Sequence, residues 1–140
     1  MKAIVDSSVL VSAFLTRQGT AGQLLAAGLR GHFEIVVSGL ILAETARRLL
    51  SSDKLRERYD YAEAEVYRFV ERLTAAVTVL SDFPAIIPVC RDPDDDHVLA
   101  AALAAQAGCV ITGDRDLLDL GSYQGIHMRT VREALDDLGR

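Results

Sequence analysis

A chain of 140 residues with 50% hydrophobic and 25% charged residues has the length and composition of one globular domain with a core of its own, which excludes a disordered chain. Its apolar runs are short and broken by charges, which excludes a membrane-spanning segment. The formal net charge of −5 argues mildly against nucleic acid as a partner, unless clustered site carboxylates account for the charge and a bound cation inverts their local field.

Strand and helix patterns alternate from one end to the other. The first strand runs from Lys2 to Val5, and a helix spans Thr20 to Leu29, with Thr20 and Gln23 as a capping box behind Gly19. Phe33 to Val37 is the second strand. Ser38 then caps a helix to about Leu50, in which Leu40, Ile41, Ala43, Leu49 and Leu50 are available for burial. Ser51 to Arg58 is charged and reads as a loop. Asp60 and Glu63 cap the next helix, where Val66, Phe69, Val70 and Leu73 follow helical spacing. Val77 to Leu80 is a short strand, and Pro84 and Pro88 bracket a connector whose Ile86 and Ile87 either pack or expose apolar surface.

Asp92-Pro93-Asp94 opens a helix to Ala107, with Asp92 at the cap, Pro93 at the first helical position and Gly108 as the stop. Cys109 to Thr112 is a strand, Asp116 to Leu120 a helical turn and Ile126 to Arg129 the last strand. Thr130 and Glu133 cap a final helix ending near Leu138. The alternation implies a single α/β domain over residues 1–140, a three-layer α/β/α sandwich around a mainly parallel sheet. Cys90 and Cys109 sit among apolar neighbours and read as free thiols. No signal-peptide pattern precedes the first strand, so a cytoplasmic location is expected.

Asp6 follows the apolar run Ala3-Ile4-Val5, and Asp114 follows Cys109-Val110-Ile111-Thr112 with only Gly113 between. In parallel sheets, ligands gather beyond the carboxyl ends of strands, where both aspartates fall. Either alone also fits a cap or turn residue. Glu44 lies on a helix face with Leu40 and Ile41, and its alternative is a surface pair with Arg47 or Arg48. In the acidic run, Asp92 and Asp94 read as capping residues and Asp95 is ambiguous. Asp96, three and four residues before Leu99 and Ala100, can share their face. With Asp116, that makes five acids for one site: Asp6, Glu44, Asp96, Asp114 and Asp116. Crowded carboxylates raise one another's pKa unless a cation neutralises them. An oxygen-liganded divalent cation, Mg²⁺ or Mn²⁺, suits the set and points to metal-assisted phosphoryl chemistry. His32, His97 and His127 form no visible nucleophile–base pair. Ser7 and Ser8 are suited to hydrogen-bonding a carboxylate or water.

Four blocks carry a family resemblance: Val5-Asp6-Ser7-Ser8-Val9-Leu10-Val11-Ser12-Ala13, Ser38 through Glu44, Asp92 through Leu103, and Val110-Ile111-Thr112-Gly113-Asp114-Arg115-Asp116-Leu117-Leu118. In this order and spacing they resemble the PIN-domain fold of metal-dependent nucleases, closest to the toxin components of toxin–antitoxin pairs. Ser7 and Ser8 stand where Thr-Asn or Thr-Ser is commoner, with a hydroxyl retained. The resemblance implies an endoribonuclease, the toxin of a type II pair, with Asp6, Glu44, Asp96 and Asp114 as catalytic acids holding Mg²⁺ or Mn²⁺ and Asp116 as an optional fifth. It further implies an RNA substrate, a protein antitoxin and a homodimer. Arg17, Arg47, Arg48 and Arg115 are candidate phosphate contacts. The alternatives are a PIN fold used only to bind RNA or protein, and a Mg-binding receiver-like signalling domain. The latter lacks a suitably placed lysine, since only Lys2 and Lys54 are present.

Overall fold

Ala3-Ile4-Val5 and Cys109-Val110-Ile111 lie side by side in the middle of one sheet, and these six residues are buried. That enclosure is why both runs lack the polar alternation of a half-exposed strand. The computed structural model describes residues 1–86, 88–90 and 92–139. Its six strands are β1 (Lys2–Val5), β2 (Glu34–Ser38), β3 (Thr78–Leu80), β4 (Cys109–Ile111), β5 (Ser122–Tyr123) and β6 (Ile126–Arg129). They are ordered β3-β2-β1-β4-β6-β5, all neighbours parallel except the β5–β6 edge pair.

The helices are α1 (Ser7–Leu15), α2 (Thr20–Leu29), α3 (Gly39–Ser51), α4 (Asp53–Tyr59), α5 (Glu63–Ala76), α6 (Asp96–Ala105), α7 (Arg115–Leu120) and α8 (Val131–Leu138), with a 3₁₀ turn at Pro93–Asp95 before α6. Helix α6 packs over β1, β2 and β4, while α1 packs with α2 and α3, α3 with α5, and α2 with α8. The expected α/β/α sandwich with a mainly parallel sheet is the fold found. Ile4, Val36, Leu99, Val110 and Ile111 are all fully enclosed in its main core. A smaller cluster of Val11, Leu49 and Val66 lies under Phe14, Leu55 and Tyr61. Among the described residues, no helix is long and apolar enough to cross a membrane.

Several local expectations need correction. The apolar stretch after Asp6, left without an element in the sequence reading, forms α1. The charged stretch 51–58 is not a loop but contains most of α4. Ser52 caps that helix by accepting from Leu55 N at 3.2 Å, and Leu55 anchors it on the small core. One apolar anchor in seven residues is too few to show a period. Asp60 does not cap α5; it is the left-handed C-cap of α4 with φ 50°. Helix α5 starts after Ala62, whose N–H is accepted by Glu65 Oε2 at 3.1 Å.

Likewise Gly19, not Thr20, is the N-cap of α2, and the Gln23 amide donates to Gln18 O at 3.2 Å instead. Helix α6 stops at Ala105, with Gln106 in the left-handed region (φ 55°), two residues short of the expected end. Strand β5 had no counterpart in the sequence reading. Gln124 (φ 48°) and Gly125 (φ 83°) close the β5–β6 hairpin, and a two-residue turn with both φ positive matches the strand twist. Ser38 does cap α3, accepting from Ile41 N at 3.1 Å, but Leu40 beside it is 57% exposed. Ile86 packs partly buried against the main core, whereas Ile87 lies outside the described residues.

Candidate functional site

The register sets the site. Val5 pairs with Ile111, so the chain leaves β1 and β4 side by side and delivers Asp6 and Thr112 to the same edge. Asp6 N–H donates to Ile111 O at 3.0 Å, extending the pairing by one bond. Asp6 is also the N-cap of α1, yet its carboxylate makes no cap hydrogen bond. Instead Asp6 Oδ2 accepts from Thr112 Oγ1 at 2.7 Å and from Ser8 Oγ at 3.0 Å. Ser8 Oγ in turn accepts from Gly113 N at 2.9 Å, and Thr112 Oγ1 from Asp114 N at 3.0 Å. Two hydroxyls thus lock the β1–α1 and β4–α7 corners together and fix the carboxylate of Asp6, which is only 6% exposed.

Glu44 enters from the second turn of α3, where Ser7 Oγ donates to its Oε1 at 2.8 Å. The alternative surface pair with Arg47 or Arg48 is not formed among the described residues; His97 Nε2 instead lies 3.5 Å from Glu44 Oε2. Asp114 caps α7, its Oδ1 accepting from Asp116 N at 2.8 Å.

The acidic run divides differently from the expectation. Asp92 accepts from Asp94 N at 3.0 Å and caps the 3₁₀ turn, whereas α6, the helix it was expected to cap, begins at Asp96 behind Asp95. Asp96 turns away from the other acids. Its Oδ1 accepts from Cys90 N at 2.8 Å and Val89 N at 3.2 Å, tying down the connector before α6. Those backbone donors, Cys90 first, hold its carboxyl below the usual aspartate range. Burial, and then the adjoining Asp96, push the Cys90 thiol up to about 12. Asp95 takes the place expected of Asp96. Asp95, Asp114 and Asp116 each offer a carboxylate oxygen within 4.8 Å of the others, a spacing one cation could bridge. Asp95 Oδ2 is buried with no hydrogen-bond partner among the described residues. Burial, followed by the charges of Asp114, Asp92, Asp6 and Glu44, raises the Asp95 carboxyl to about 7. An orphaned oxygen in a field of like charges is an environment that a bound cation relieves, so the residues fit an oxygen-liganded divalent ion.

Helix α6 is buried nearly all round: Val98, Leu99, Ala100, Ala101 and Ala102 are each at most 3% exposed. Facing Leu99 therefore does not choose between Asp95 and Asp96. The 3₁₀ turn over Pro93–Asp95 adds to the difficulty, because it advances each residue by about 120° instead of 100°. Thr112 was also missed, although its hydroxyl directly follows β4.

An open cleft of about 600 Å³ is lined by Leu40, Glu44, Arg47 and Arg48 from α3 and by Asp92, Asp95, His97 and Asp114. Of the four candidate arginines, Arg47 and Arg48 line it; Arg17 lines a separate pocket beside Phe14 and Arg68. Arg115 is exposed at the start of α7, and His32 and His127 are exposed elsewhere.

The PIN domain family model matches residues 2–116. The protein MJ1680 of Methanocaldococcus jannaschii is 33% identical over 122 residues, covering 86% of this chain and 75% of that protein. Solved structures share the fold at low identity. VapBC2 from Rickettsia felis, bound to a DNA fragment from its promoter, superposes with a TM-score of 0.64 at 14% identity, covering 93% of this chain and 98% of that one. PAE2754 from Pyrobaculum aerophilum gives 0.61 at 18% identity, covering 99% and 90%. VapC20 of Mycobacterium tuberculosis, described as a toxin cleaving the sarcin–ricin loop, gives 0.59 at 18% identity, covering 89% and 98%.

Proposed function

The chain belongs to the PIN domain family, and on that premise we propose that it is a divalent-cation-dependent endoribonuclease acting in the cytoplasm as the toxin of a type II toxin–antitoxin pair. The observation that carries the reading is Asp95, a carboxylate beside Asp114 and Asp116 with one oxygen buried and, among the described residues, without a hydrogen-bond partner. Asp6, Glu44, Asp95 and Asp114 are the proposed catalytic acids, with Asp116 as the fifth; Asp95 replaces Asp96 in the set expected from sequence. These residues would hold Mg²⁺ or Mn²⁺, which when bound lowers the pKa of water and offsets charge developing on a phosphodiester.

The chain's own side chains do the positioning. Thr112 and Ser8 immobilise Asp6, and Ser7 orients Glu44. Arg47 and Arg48, on the far wall of the cleft, supply the charge-assisted contacts that hold an RNA phosphate against the acids. They also answer the objection from net charge, since the cations stand where the substrate would lie. Attack by water with departure of the 3′ oxygen leaves a 5′-phosphate and a 3′-hydroxyl, and needs no protein nucleophile. The toxin assignment draws support from the VapBC2 and VapC20 folds. It also draws on the cleft itself, whose clustered carboxylates favour an arginine or lysine from a partner antitoxin. A homodimer is part of the same reading.

The test is incubation of purified protein with single-stranded and structured RNA in Mg²⁺, in Mn²⁺ and in excess chelator, with the product ends identified. Cleavage to 5′-phosphate ends only with the cation supports the proposal. Cleavage that persists in chelator refutes it.

A further inference from the structure

Glu44 reaches the cleft from α3, and its two oxygens are met from different elements: Ser7 Oγ at 2.8 Å from Oε1 and His97 Nε2 at 3.5 Å from Oε2. His97 is carried by α6, which stands over β1, β2 and β4, whereas α3 packs against α1 and α5. The contact therefore spans the cleft. The imidazole is only 20% exposed, and its Nδ1 is buried without a hydrogen-bond partner among the described residues. A ring enclosed this far faces Glu44 through the one nitrogen left with a partner. Glu44 needs such a restraint, because a glutamate side chain has several rotatable bonds to immobilise. Arg47 and Arg48 line the same cleft but form no ion pair with it among the described residues.

We infer that His97 is a positioning residue: with Ser7 it grips the Glu44 carboxylate from both sides and holds it at the cation cleft. This rests on the cation-dependent reading above. Groups that orient a ligand without touching the metal typically change affinity or activity by about 10- to 100-fold when removed.

The experiment is a calorimetric Mn²⁺ titration of the wild type, His97→Ala, His97→Gln and Ser7→Ala, with thermal unfolding in chelator to confirm that each variant is folded. His97→Ala is expected to bind Mn²⁺ at least about 10-fold more weakly. His97→Gln, whose side-chain amide offers an N–H to Glu44, should recover most of the affinity. Ser7→Ala should weaken binding in the same direction. In RNA cleavage at fixed Mn²⁺, His97→Ala should lower kcat and leave KM for RNA unchanged. In a Glu44→Ala background, where neither oxygen remains, His97→Ala should cost nothing further, because the interaction is already gone. A wild type that binds Mn²⁺ while folded His97→Ala binds it equally well would overturn this inference alone. So would additive losses in the Glu44→Ala background, or a failure of His97→Gln to recover affinity. A wild type that binds no Mn²⁺ would overturn the cation-dependent reading and this inference together.

Discussion

Replacing Asp95 by asparagine should make the cation-free protein more stable. A carboxyl displaced from its ordinary 3.8 to about 7 carries a ceiling of about 4 kcal/mol, at about 1.4 kcal/mol for each pH unit. Asp95 is only partly buried, so solvent screening reduces the realisable gain to about 1–2 kcal/mol. For a domain of this size that is a rise in Tm of about 3–7 °C. The pH dependence has a definite sign. Below the unfolded value of 3.8, Asp95 is protonated in both states and contributes no penalty. As pH rises, the unfolded chain gives up its proton first, and stability drains away until the folded group ionises near 7. Asparagine mimics the protonated form, so the gain should be absent near pH 4 and complete above the folded pKa. Thermal unfolding in excess chelator at pH 4, 6 and 8 measures it. With Mn²⁺ added at pH 8, the order should invert, because the wild type gains binding energy that the variant lacks. A variant less stable than wild type at pH 8 in chelator would refute the reasoning, since Asp95 would then be held by favourable contacts rather than strained by like charges.

Thr112→Val keeps the buried shape but removes the donor to Asp6 and the acceptor for Asp114 N; urea unfolding should show a loss of about 1–3 kcal/mol, with cleavage impaired as well. Asp96→Ala frees the Val89 and Cys90 amides and removes the charge that helps keep the Cys90 thiol protonated. Alkylation of Cys90 at pH 8 should therefore be slow in the wild type and faster in this variant, and equal rates would show that Asp96 does not anchor the connector.

What could be read from sequence followed the strength of the local signal. Strands β1 and β4 were legible because full burial leaves Ala3-Ile4-Val5 and Cys109-Val110-Ile111 without polar interruptions. The starts of α3 and α8 were legible because Ser38 and Thr130 make the cap hydrogen bonds their chemistry favours. Strand β5 and helix α4 were not, having two and seven residues respectively, too short for periodicity to outweigh their charged and turn-forming composition. Asp6 and Asp114 fall beyond β1 and β4, as the strand pattern implied, because the end of a parallel strand is visible in its last apolar residue. The choice between Asp95 and Asp96 was invisible. It depends on a 3₁₀ turn and on two amides of a connector that is distant in pattern but adjacent in space. His97 forms no nucleophile–base pair visible in sequence; the divergence of neighbouring helical residues turns it toward Glu44 while Asp96 turns toward the connector.

The most direct test of the site is a side-by-side measurement of RNA cleavage by Asp95→Asn and Asp96→Asn in saturating Mn²⁺. Asparagine at position 96 retains an acceptor for the connector amides, so both proteins should be folded. The account predicts that Asp95→Asn loses about 10²-fold or more in rate, the scale of a lost catalytic electrostatic group, while Asp96→Asn stays close to wild type. Loss of cleavage in Asp96→Asn with Asp95→Asn still active would contradict it.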